Sequence, residues 1–234
     1  MLNKTSNENK KYYTVKVLMT EFVTHDVKRF VLEKPKGYEY IPGQATEVSI
    51  NKESLKDKKR PFTYTSLNEE HVLEFTIKGY PAHNGVTEQL HNLSPGEEVL
   101  LEDPWGTINY DGPGVFIAEG AGITPFIAIF RSLKKQNKLA GSSLVFSNKT
   151  PKDVILEKEL REYFGDNGTF IVTKPEDGVC DGYEKAYIDK DYLASKIDDF
   201  SQKFYVCGPP KFVKDIKAYL KELGASADSV VFEK

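Results

Sequence analysis

The 234-residue sequence predicts two folds in succession, an antiparallel Greek-key β-barrel and then a doubly wound α/β domain with a parallel sheet. In the first part, short segments rich in β-formers are separated by turns such as Pro42-Gly43 and Pro95-Gly96, a spacing typical of a small barrel. After Gly114, short apolar segments alternate with helical patterns, as in parallel sheets that are covered on both faces. We place the boundary so that the domains are residues 1–111 and 112–234.

The barrel strands are predicted where β-branched and aromatic residues stand between turn residues. Six strands are expected, at residues 13–18, 27–32, 45–50, 60–66, 72–78 and 98–103. One short helix is expected near residues 87–92. Six short strands at this spacing favour a barrel over βαβ units.

The second domain is predicted to alternate strands and helices. Strands are expected at residues 115–118, 143–146, 169–172, 203–207 and 230–232, and helices at 125–135, 154–163, 192–197 and 211–223. Asp189 is expected to cap the third of these helices, and Gly224 to end the fourth. This alternation is typical of nucleotide-binding domains.

Composition excludes several classes of function. The net charge of -3 gives no reason to expect nucleic acid as a partner. Cys180 and Cys207 are too few for a four-cysteine iron–sulfur cluster, and they suit a reducing compartment. The four histidines show no metal-ligand spacing, so no metal site is expected. Neither a signal peptide nor a membrane span is evident, and the expected location is cytoplasmic.

Residues 60–66 (Arg-Pro-Phe-Thr-Tyr-Thr-Ser) join a permanent cation, two aromatic rings and three aliphatic hydroxyls. In an extended strand, Arg60, Phe62 and Tyr64 share one face and the two threonines the other. A guanidinium suits phosphate, an aromatic face suits a planar ring, and a hydroxyl can bond a ring nitrogen. These groups meet the needs of a flavin nucleotide. Taken alone, the segment is better explained as an ordinary edge strand with one solvated arginine.

A glycine-rich turn, residues 120–125 (Gly-Ala-Gly-Ile-Thr-Pro), follows the first buried strand of the second domain and opens a helix. Glycines allow close backbone approach to a pyrophosphate, and a helix N-terminus offers amide donors. Pro125 suits the first helical turn. Because the third glycine of the common dinucleotide fingerprint is missing, a tight turn without a ligand is an equal alternative.

Two more segments have the chemistry of ligand contacts. Residues 84–87 (Asn-Gly-Val-Thr) open the barrel helix, where free amides could hold a phosphate, although a turn with a threonine cap is the simpler interpretation. Residues 207–210 (Cys-Gly-Pro-Pro) end a buried strand. Ligands of open α/β sheets bind at the carboxyl ends of strands, so Cys207 is expected beside the same ligand as Gly120. A buried thiol serving as a small apolar residue is the alternative.

The order of these four segments resembles the ferredoxin–NADP reductase superfamily of flavoprotein reductases. The most similar branch contains cytochrome b5 reductase, flavodoxin reductase and the reductase modules of bacterial oxygenases. Residues 60–63 match the pattern Arg-x-(Tyr/Phe)-(Ser/Thr), and the Arg-Pro-aromatic-Thr form followed by Ser66 is particularly like cytochrome b5 reductase. The resemblance covers roughly residues 15–233. It implies a flavin-binding barrel and a dinucleotide-binding sheet.

The resemblance also implies roles for the matched residues. Arg60 would bind the flavin pyrophosphate, Phe62 would pack against the ring or the ribityl chain, and Thr63 would donate towards flavin N5. Residues 60–66 are called the flavin-binding stretch below, and its other members, Pro61, Tyr64, Thr65 and Ser66, would line the cofactor. Tyr64 stands where cytochrome b5 reductase has proline. Phosphates would be held by Gly85, Val86 and Thr87.

On the sheet side, the resemblance implies a nicotinamide dinucleotide groove. The groove would be lined by Gly120, Gly122, Ile123, Thr124 and Pro125. Cys207 and Gly208 would contact the nicotinamide, so that Thr63 and Cys207 are the residues expected at the reacting rings. Phe232 and Glu233 match the carboxy-terminal segment of the family near the flavin face.

The nucleotide preference depends on what meets the 2′-phosphate or the free 2′-hydroxyl. Thr173-Lys174 stands where plant-type reductases carry a Ser-Arg pair, and Lys185-Ala186-Tyr187 is similar to their Lys-x-Tyr with a spacing about two residues longer. Cations and hydroxyls favour NADPH. Residues 148–150 (Asn-Lys-Thr) resemble the NADH-using cytochrome b5 reductase pattern, and the acids Glu176, Asp177, Asp181 and Glu184 could repel phosphate, so NADH remains an alternative.

The activity that the resemblance implies is that of an FAD-dependent oxidoreductase. Hydride would pass from NADPH or NADH to FAD, and electrons would go on to a separate acceptor: flavodoxin, ferredoxin, an oxygenase component or a small molecule. No ferredoxin or haem domain is evident in the sequence, so the acceptor is expected to be another molecule and the protein a monomer. An electron-transfer subunit of a larger redox complex and a scaffold that no longer holds flavin are the alternatives.

Overall fold

The computed structural model describes residues 12–80, 85–106, 108–175 and 181–232. Asn84, Cys180 and Glu233, together with the acids Glu176 and Asp177, lie outside the described residues. Their predicted roles therefore stay predictions.

Seven antiparallel strands form the barrel. They are β1 (Tyr13–Phe22), β2 (Val27–Glu33), β3 (Gln44–Ile50), β4 (Arg60–Thr63), β5 (Val72–Lys78), β6 (Glu98–Leu101) and β7 (Trp105–Gly106). They pair in the order β4-β3-β6-β1-β2-β5, and β7 joins β3. A bridge between Tyr64 and Phe75 brings the chain after β4 onto β5, so the sheet nearly closes. The predicted barrel is confirmed, and α1 (Val86–His91) follows β5 as expected.

Six parallel strands form the second sheet, in the order β11-β10-β9-β8-β12-β13. They are β8 (Gly114–Glu119), β9 (Ser143–Asn148), β10 (Gly168–Val172), β11 (Glu184–Lys185), β12 (Lys203–Cys207) and β13 (Val230–Phe232). The chain leaves β8 towards β9 and later returns on the other side to β12. The strand order therefore reverses between β8 and β12, which is where ligands bind in open α/β sheets.

Among the described residues, four α-helices cover this sheet: α2 (Thr124–Lys135), α3 (Glu157–Phe164), α4 (Lys190–Lys196) and α5 (Pro210–Glu222). The first two pack on one face and the last two on the other. Asp189 caps α4 by accepting a hydrogen bond from the Tyr192 amide at 2.8 Å, and Gly224 follows α5 with φ +102°, both as predicted.

Helix α3 departs from its prediction, because it begins at residue 157 rather than at residue 154. A 3-10 turn at Pro151–Asp153 precedes it, closed by a capping box between Thr150 and Asp153. Leu156 then adopts a left-handed conformation with φ 51°, which separates the turn from α3. The two-residue strands β7 and β11 were not predicted, because two residues carry no periodic pattern.

The barrel and the sheet share a hydrophobic core along α2. Val27 and Ile108 of the barrel half are buried in the same cluster as Phe126, Ile129 and Phe130 of that helix. The helix that follows the glycine-rich turn is therefore the element that joins the two halves. No helix among the described residues has the length and apolarity to traverse a lipid bilayer.

Candidate active site between barrel and sheet

A cleft of about 520 Å³ lies where the barrel meets the β8/β12 end of the parallel sheet. Three of the four predicted segments line it. They contribute Pro61, Phe62 and Thr63 from the barrel, Gly120, Gly122, Thr124 and Pro125 from the glycine-rich turn, and Cys207, Gly208, Pro209 and Pro210 from the end of β12. Residues more than 140 positions apart in the chain are thus brought to one site.

Thr63 connects the two walls of this cleft. Its side chain is 7% exposed, and its hydroxyl donates to the Thr124 hydroxyl at 3.4 Å. Thr124 in turn donates to the Ala121 carbonyl at 2.9 Å, which fixes the threonine against the glycine-rich turn. The residue predicted to face a flavin therefore contacts the turn predicted to hold a dinucleotide.

Glycine is required at position 122 by the packing of this turn against the end of β12. A Cβ atom there would lie 2.4 Å from the Cys207 carbonyl oxygen and 2.6 Å from the Gly208 Cα. Gly120, by contrast, has φ +54° with no atom within 4 Å of an added Cβ, so its backbone borders open space. A backbone exposed in this way can be approached closely by a ligand.

Ile123 was predicted to line the dinucleotide groove, but its side chain does not line the cleft. It is fully buried in the core beneath the sheet, since α2 begins at the next residue and turns this position inward. Cys207 is 3% exposed and belongs to the same core, but it also lines the cleft. Cys207 therefore packs as a small apolar residue, and its contact with a ligand stays a prediction.

Polar groups at the end of β9 add to the floor of the cleft. Asn148 is 3% exposed, lines the cleft, and neither atom of its side-chain amide has a hydrogen-bond partner among the described residues. A buried amide without partners costs free energy that a ligand or water can recover. Burial raises the pKa of the nearby Glu119 carboxyl, and the cation of Lys149 offsets part of that rise.

A second pocket, of about 660 Å³, adjoins the other end of the flavin-binding stretch. It is lined by Arg60, Gly85 and Val86, together with Lys58 and Lys59. Arg60 is exposed, lines this pocket and donates one hydrogen bond to the Lys59 carbonyl at 2.7 Å. Gly85 is the N-cap of α1, and as a glycine it provides no side-chain cap for the first amides of this helix. Thr87 neither caps this helix nor lines the pocket.

Tyr64, Thr65 and Ser66 have side chains inside the barrel rather than in the cleft, contrary to the prediction. The Tyr64 ring is fully buried, stacks on Tyr40 with centroids 3.9 Å apart, and shares a hydroxyl hydrogen bond of 2.6 Å with Tyr38. Thr65 donates to Glu74 at 2.9 Å, and Ser66 pairs with the Tyr40 hydroxyl at 2.7 Å. These side chains close the barrel, which leaves them no reach to a cofactor.

Phe232 is likewise placed away from the cleft. It pairs in register with Val206 at the end of β13 and packs on the face of the sheet covered by α4 and α5. The Lys217 ammonium lies 3.2 Å from its ring centroid. Phe232 does not line the cleft, and its predicted place near the flavin face stays a prediction.

The four residues predicted to read the nucleotide 2′-position lie together at one edge of the sheet. Thr173 and Lys174 follow β10, where their amides bind the Asn148 and Lys149 carbonyls at 3.0 and 2.7 Å. Lys185 pairs with Val172 in β11, and Tyr187 is 67% exposed just beyond it. Their backbone contacts place them beside the polar floor of the cleft, although none of them lines it.

The chemistry of these donors fits a flavin dinucleotide and a pyridine dinucleotide. Arg60 and the open end of α1 can hold phosphates, the half-buried Phe62 can pack against a ring, and the buried Thr63 hydroxyl can reach a ring nitrogen. On the opposite wall, the open backbone at Gly120 and the unpartnered Asn148 amide suit a second nucleotide. Glu119 is a cleft residue that the sequence analysis did not identify, and Asn148 was identified there only as part of residues 148–150, which bear on the nucleotide preference.

Comparison with known proteins supports this assignment of the two walls. The oxidoreductase FAD-binding domain family matches residues 14–110, and the oxidoreductase NAD-binding domain family matches residues 116–218. NADH-cytochrome b5 reductase 2 of Candida glabrata is 30% identical over 239 residues, covering 88% of this chain and 78% of the relative. The ferredoxin–NAD(P)(+) reductase component of the naphthalene 1,2-dioxygenase system of Pseudomonas putida is 25% identical, covering 92% and 66%.

A solved structure shares the whole architecture. The ferredoxin NADP+ reductase from Neisseria gonorrhoeae, with bound FAD and NADP, superimposes with a TM-score of 0.83 at 19% identity, covering 95% of this chain and 98% of that one. Barrel, sheet and cleft together define a two-domain, FAD-dependent NAD(P)H oxidoreductase that passes electrons to an acceptor. The chain belongs to the ferredoxin–NADP reductase superfamily of flavoprotein reductases.

Proposed function

We propose that FAD lies along the barrel wall, with its phosphates at Arg60 and Gly85 and its ring beside Phe62 and Thr63, and that the pyridine dinucleotide binds the wall formed by Gly120, Asn148 and Cys207. The contact between the Thr63 and Thr124 hydroxyls carries this proposal. Because the two walls touch at this point, a ligand on each wall would lie within a few ångströms of the other. The proposed boundary at residues 111 and 112 separates the two walls.

When bound, the two cofactors supply the chemistry, a hydride transfer from nicotinamide to flavin. The residues of the chain position the two rings, which must approach within about 3–3.5 Å. The Thr63 hydroxyl has a single proton, which it donates to Thr124 over a long 3.4 Å contact, and turning that proton towards the cleft would let Thr63 donate to a ring nitrogen. Cys207 is buried at this end of the cleft, and Gly208 packs so closely there that an added Cβ would lie 2.7 Å from Phe212 Cδ1.

The proposed acceptor is a separate electron carrier. Relatives are named for cytochrome b5 and for the ferredoxin of a dioxygenase system, both of which are separate one-electron carriers. We propose a carrier of this kind, flavodoxin, ferredoxin or an oxygenase component, for this chain. A monomeric state and a cytoplasmic location stay predictions.

The proposed preference for NADPH rests on Lys174 and Lys185, which lie on neighbouring strand ends beside the cleft. The names of relatives that use NADH favour the other nucleotide. Comparing the kcat/KM for NADPH with that for NADH decides between them. A K174E/K185E variant should lose NADPH turnover selectively if the proposal is correct, and equal losses with both nucleotides would contradict it.

Replacing Arg60 tests the placement of FAD. Arg60→Gln should weaken FAD binding at least about tenfold, because a charge-assisted contact to phosphate is lost. Since Arg60 is exposed, the stability of the cofactor-free protein should not change. Lys56→Gln, which removes an exposed cation paired with Glu53 in the same part of the barrel, is the matched control. An unchanged FAD dissociation constant in Arg60→Gln would exclude the proposed phosphate site.

A further inference from the structure

Helix α2 touches the flavin-binding stretch and the turn after it at three positions. Thr124 contacts Thr63, Arg131 contacts Thr65, and Lys135 forms an ion pair with Glu69 at 2.6 Å. The three helix positions are spaced by seven and then four residues, so they lie on one face of the helix. One polar face of α2 therefore runs along the barrel wall of the cleft.

Arg131 is the most buried charge on this face. Its Nη1 donates to the Thr65 carbonyl at 2.7 Å and to Glu74 Oε1 at 2.6 Å, both in the barrel. Its Nε and Nη2 donate to the two carboxylate oxygens of Glu159 on α3, at 2.7 and 2.9 Å. The guanidinium is thus shared between the two domains, with 18% of the side chain exposed.

Glu74 is held from several directions as well. Besides Arg131, it accepts from Arg29 Nε at 2.6 Å and from the Thr65 hydroxyl at 2.9 Å, and only 4% of its side chain is exposed. Buried ion networks of this kind add little to stability compared with apolar packing, but each member is confined to one geometry. Their main effect here is to fix the position of Thr65 relative to α2.

We propose that Arg131 is a positioning residue for hydride transfer, fixing the flavin-binding stretch to the helix that carries the dinucleotide turn. This inference rests on the proposed function. Thr65 lies two residues after Thr63, and Arg131 lies two helical turns after Thr124, so the two contacts together set the angle between barrel wall and dinucleotide wall. A displacement of about 1 Å between reacting groups can lower a rate by about a hundredfold.

The test uses Arg131→Gln and, as a matched control, Arg161→Gln. Arg161 forms an ion pair with Glu157 at 2.7 Å and donates to the Gly182 carbonyl at 2.8 Å, and its described partners all belong to the second domain. Arg131→Gln leaves Glu74 paired with Arg29 and Thr65, which supports folding of the variant. Arg131→Lys keeps the charge but cannot bind both domains through a planar fork.

For the FAD-loaded protein, the measurement is the rate constant at which NADPH or NADH bleaches the flavin. Arg131→Gln should slow bleaching at least about tenfold, while the FAD dissociation constant and reduction by dithionite, which needs no dinucleotide, stay unchanged. Arg161→Gln should bleach as fast as the original protein. A wild-type rate in Arg131→Gln overturns the inference, and if that variant does not fold, Arg131→Lys is decisive in the same way. Failure of the original protein to bleach would instead overturn the proposed function.

A second measurement needs no cofactor. In hydrogen–deuterium exchange of the cofactor-free protein, Arg131→Gln should raise exchange in peptides spanning residues 63–66 and 124–135 together. Arg161→Gln should raise exchange only around residues 157–161 and 182. Unchanged exchange of residues 63–66 in Arg131→Gln would show that the arginine does not hold the flavin-binding stretch.

Discussion

Within residues 60–66, neighbouring side chains lie in different surroundings. Arg60, Phe62 and Thr63 face the two pockets, whereas Tyr64, Thr65 and Ser66 are buried in the barrel. The reason lies in the backbone, since Thr63 pairs with Ala45 of β3 but the Thr65 amide donates to the Glu74 carbonyl of β5 at 2.8 Å. The chain crosses from one strand neighbour to another, and strict alternation of faces ends there.

Tyr64→Phe tests whether Tyr64 belongs to the barrel interior rather than to the cofactor site. Removing the hydroxyl leaves Tyr38 bonded to the Glu102 carbonyl at 2.7 Å and keeps the stacked ring, so unfolding free energy should fall by only about 1 kcal/mol. FAD affinity should not change, because the ring does not reach the cleft. Urea unfolding and FAD titration check both statements. A large loss of FAD affinity at unchanged stability would show that Tyr64 contacts the cofactor.

Asn148→Leu should weaken dinucleotide binding without lowering the stability of the protein. Because the Asn148 amide has no hydrogen-bond partner among the described residues, replacing it with an apolar group of similar size should leave the protein as stable or more stable. Dinucleotide affinity should fall about tenfold, since a ligand contact of roughly 1–1.5 kcal/mol is lost. Titration with NADP+ or NAD+ measures this, with Asn109→Leu, at an exposed site, as the control. Undiminished affinity would remove Asn148 from the site.

At the scale of elements, the glycine-rich turn is shaped by its contact with β12. Gly122→Ala places a methyl group 2.4 Å from the Cys207 carbonyl, and neither backbone can move cheaply. We expect a loss of about 1–3 kcal/mol in stability and at least tenfold weaker dinucleotide binding, with FAD binding retained. Gly224→Ala, where φ is +102° but space is free, should cost about 1 kcal/mol and leave binding unchanged. Equal dinucleotide affinity in both variants would contradict this view of the turn.

Elements with a clear pattern were predictable from the sequence, and elements that depend on tertiary contacts were not. The apolar segments that became β8 and β12, and the capped helices α4 and α5, follow from local residue types. The packing of Phe232 against the α4 and α5 side could not be predicted, because residue type alone does not tell which face of a sheet a side chain occupies. The contacts of Arg131 join residues 57 and 66 positions away, and local spacing contains no signal for them.

At the scale of the whole molecule, the ion network around Glu74 joins the two domains and should depend on pH. Burial opposes ionisation of Glu74, but Arg131 and then Arg29 outweigh it and hold its pKa below the usual 4.5. A carboxyl with a lowered pKa contributes stability that is fully present above its unfolded pKa and is lost as the pH falls through the folded one. The contribution of Glu74 should therefore decline below about pH 4.5.

Glu74→Gln measures this contribution. At neutral pH the variant should be less stable by about 3 kcal/mol, because the largely buried Arg131 and the partly exposed Arg29 lose their shared carboxylate. On acidification below about pH 4.5 the difference between variant and original should shrink, whereas Glu97→Gln, at a partly exposed surface pair, should stay close to the original throughout. Thermal unfolding of the original protein and of both variants across this pH range gives the stability difference of each variant as a function of pH. A difference that is independent of pH would mean that Glu74 is not ionised in the folded protein.

The proposed activity requires two ligands to meet across one cleft. The most direct measurement is anaerobic mixing of the FAD-loaded protein with one equivalent of NADPH or of NADH, followed by the absorbance of the flavin. The cleft geometry predicts that at least one of the two nucleotides bleaches the flavin stoichiometrically. Protein that binds FAD and dinucleotide yet stays yellow with both nucleotides would contradict the arrangement of the two walls.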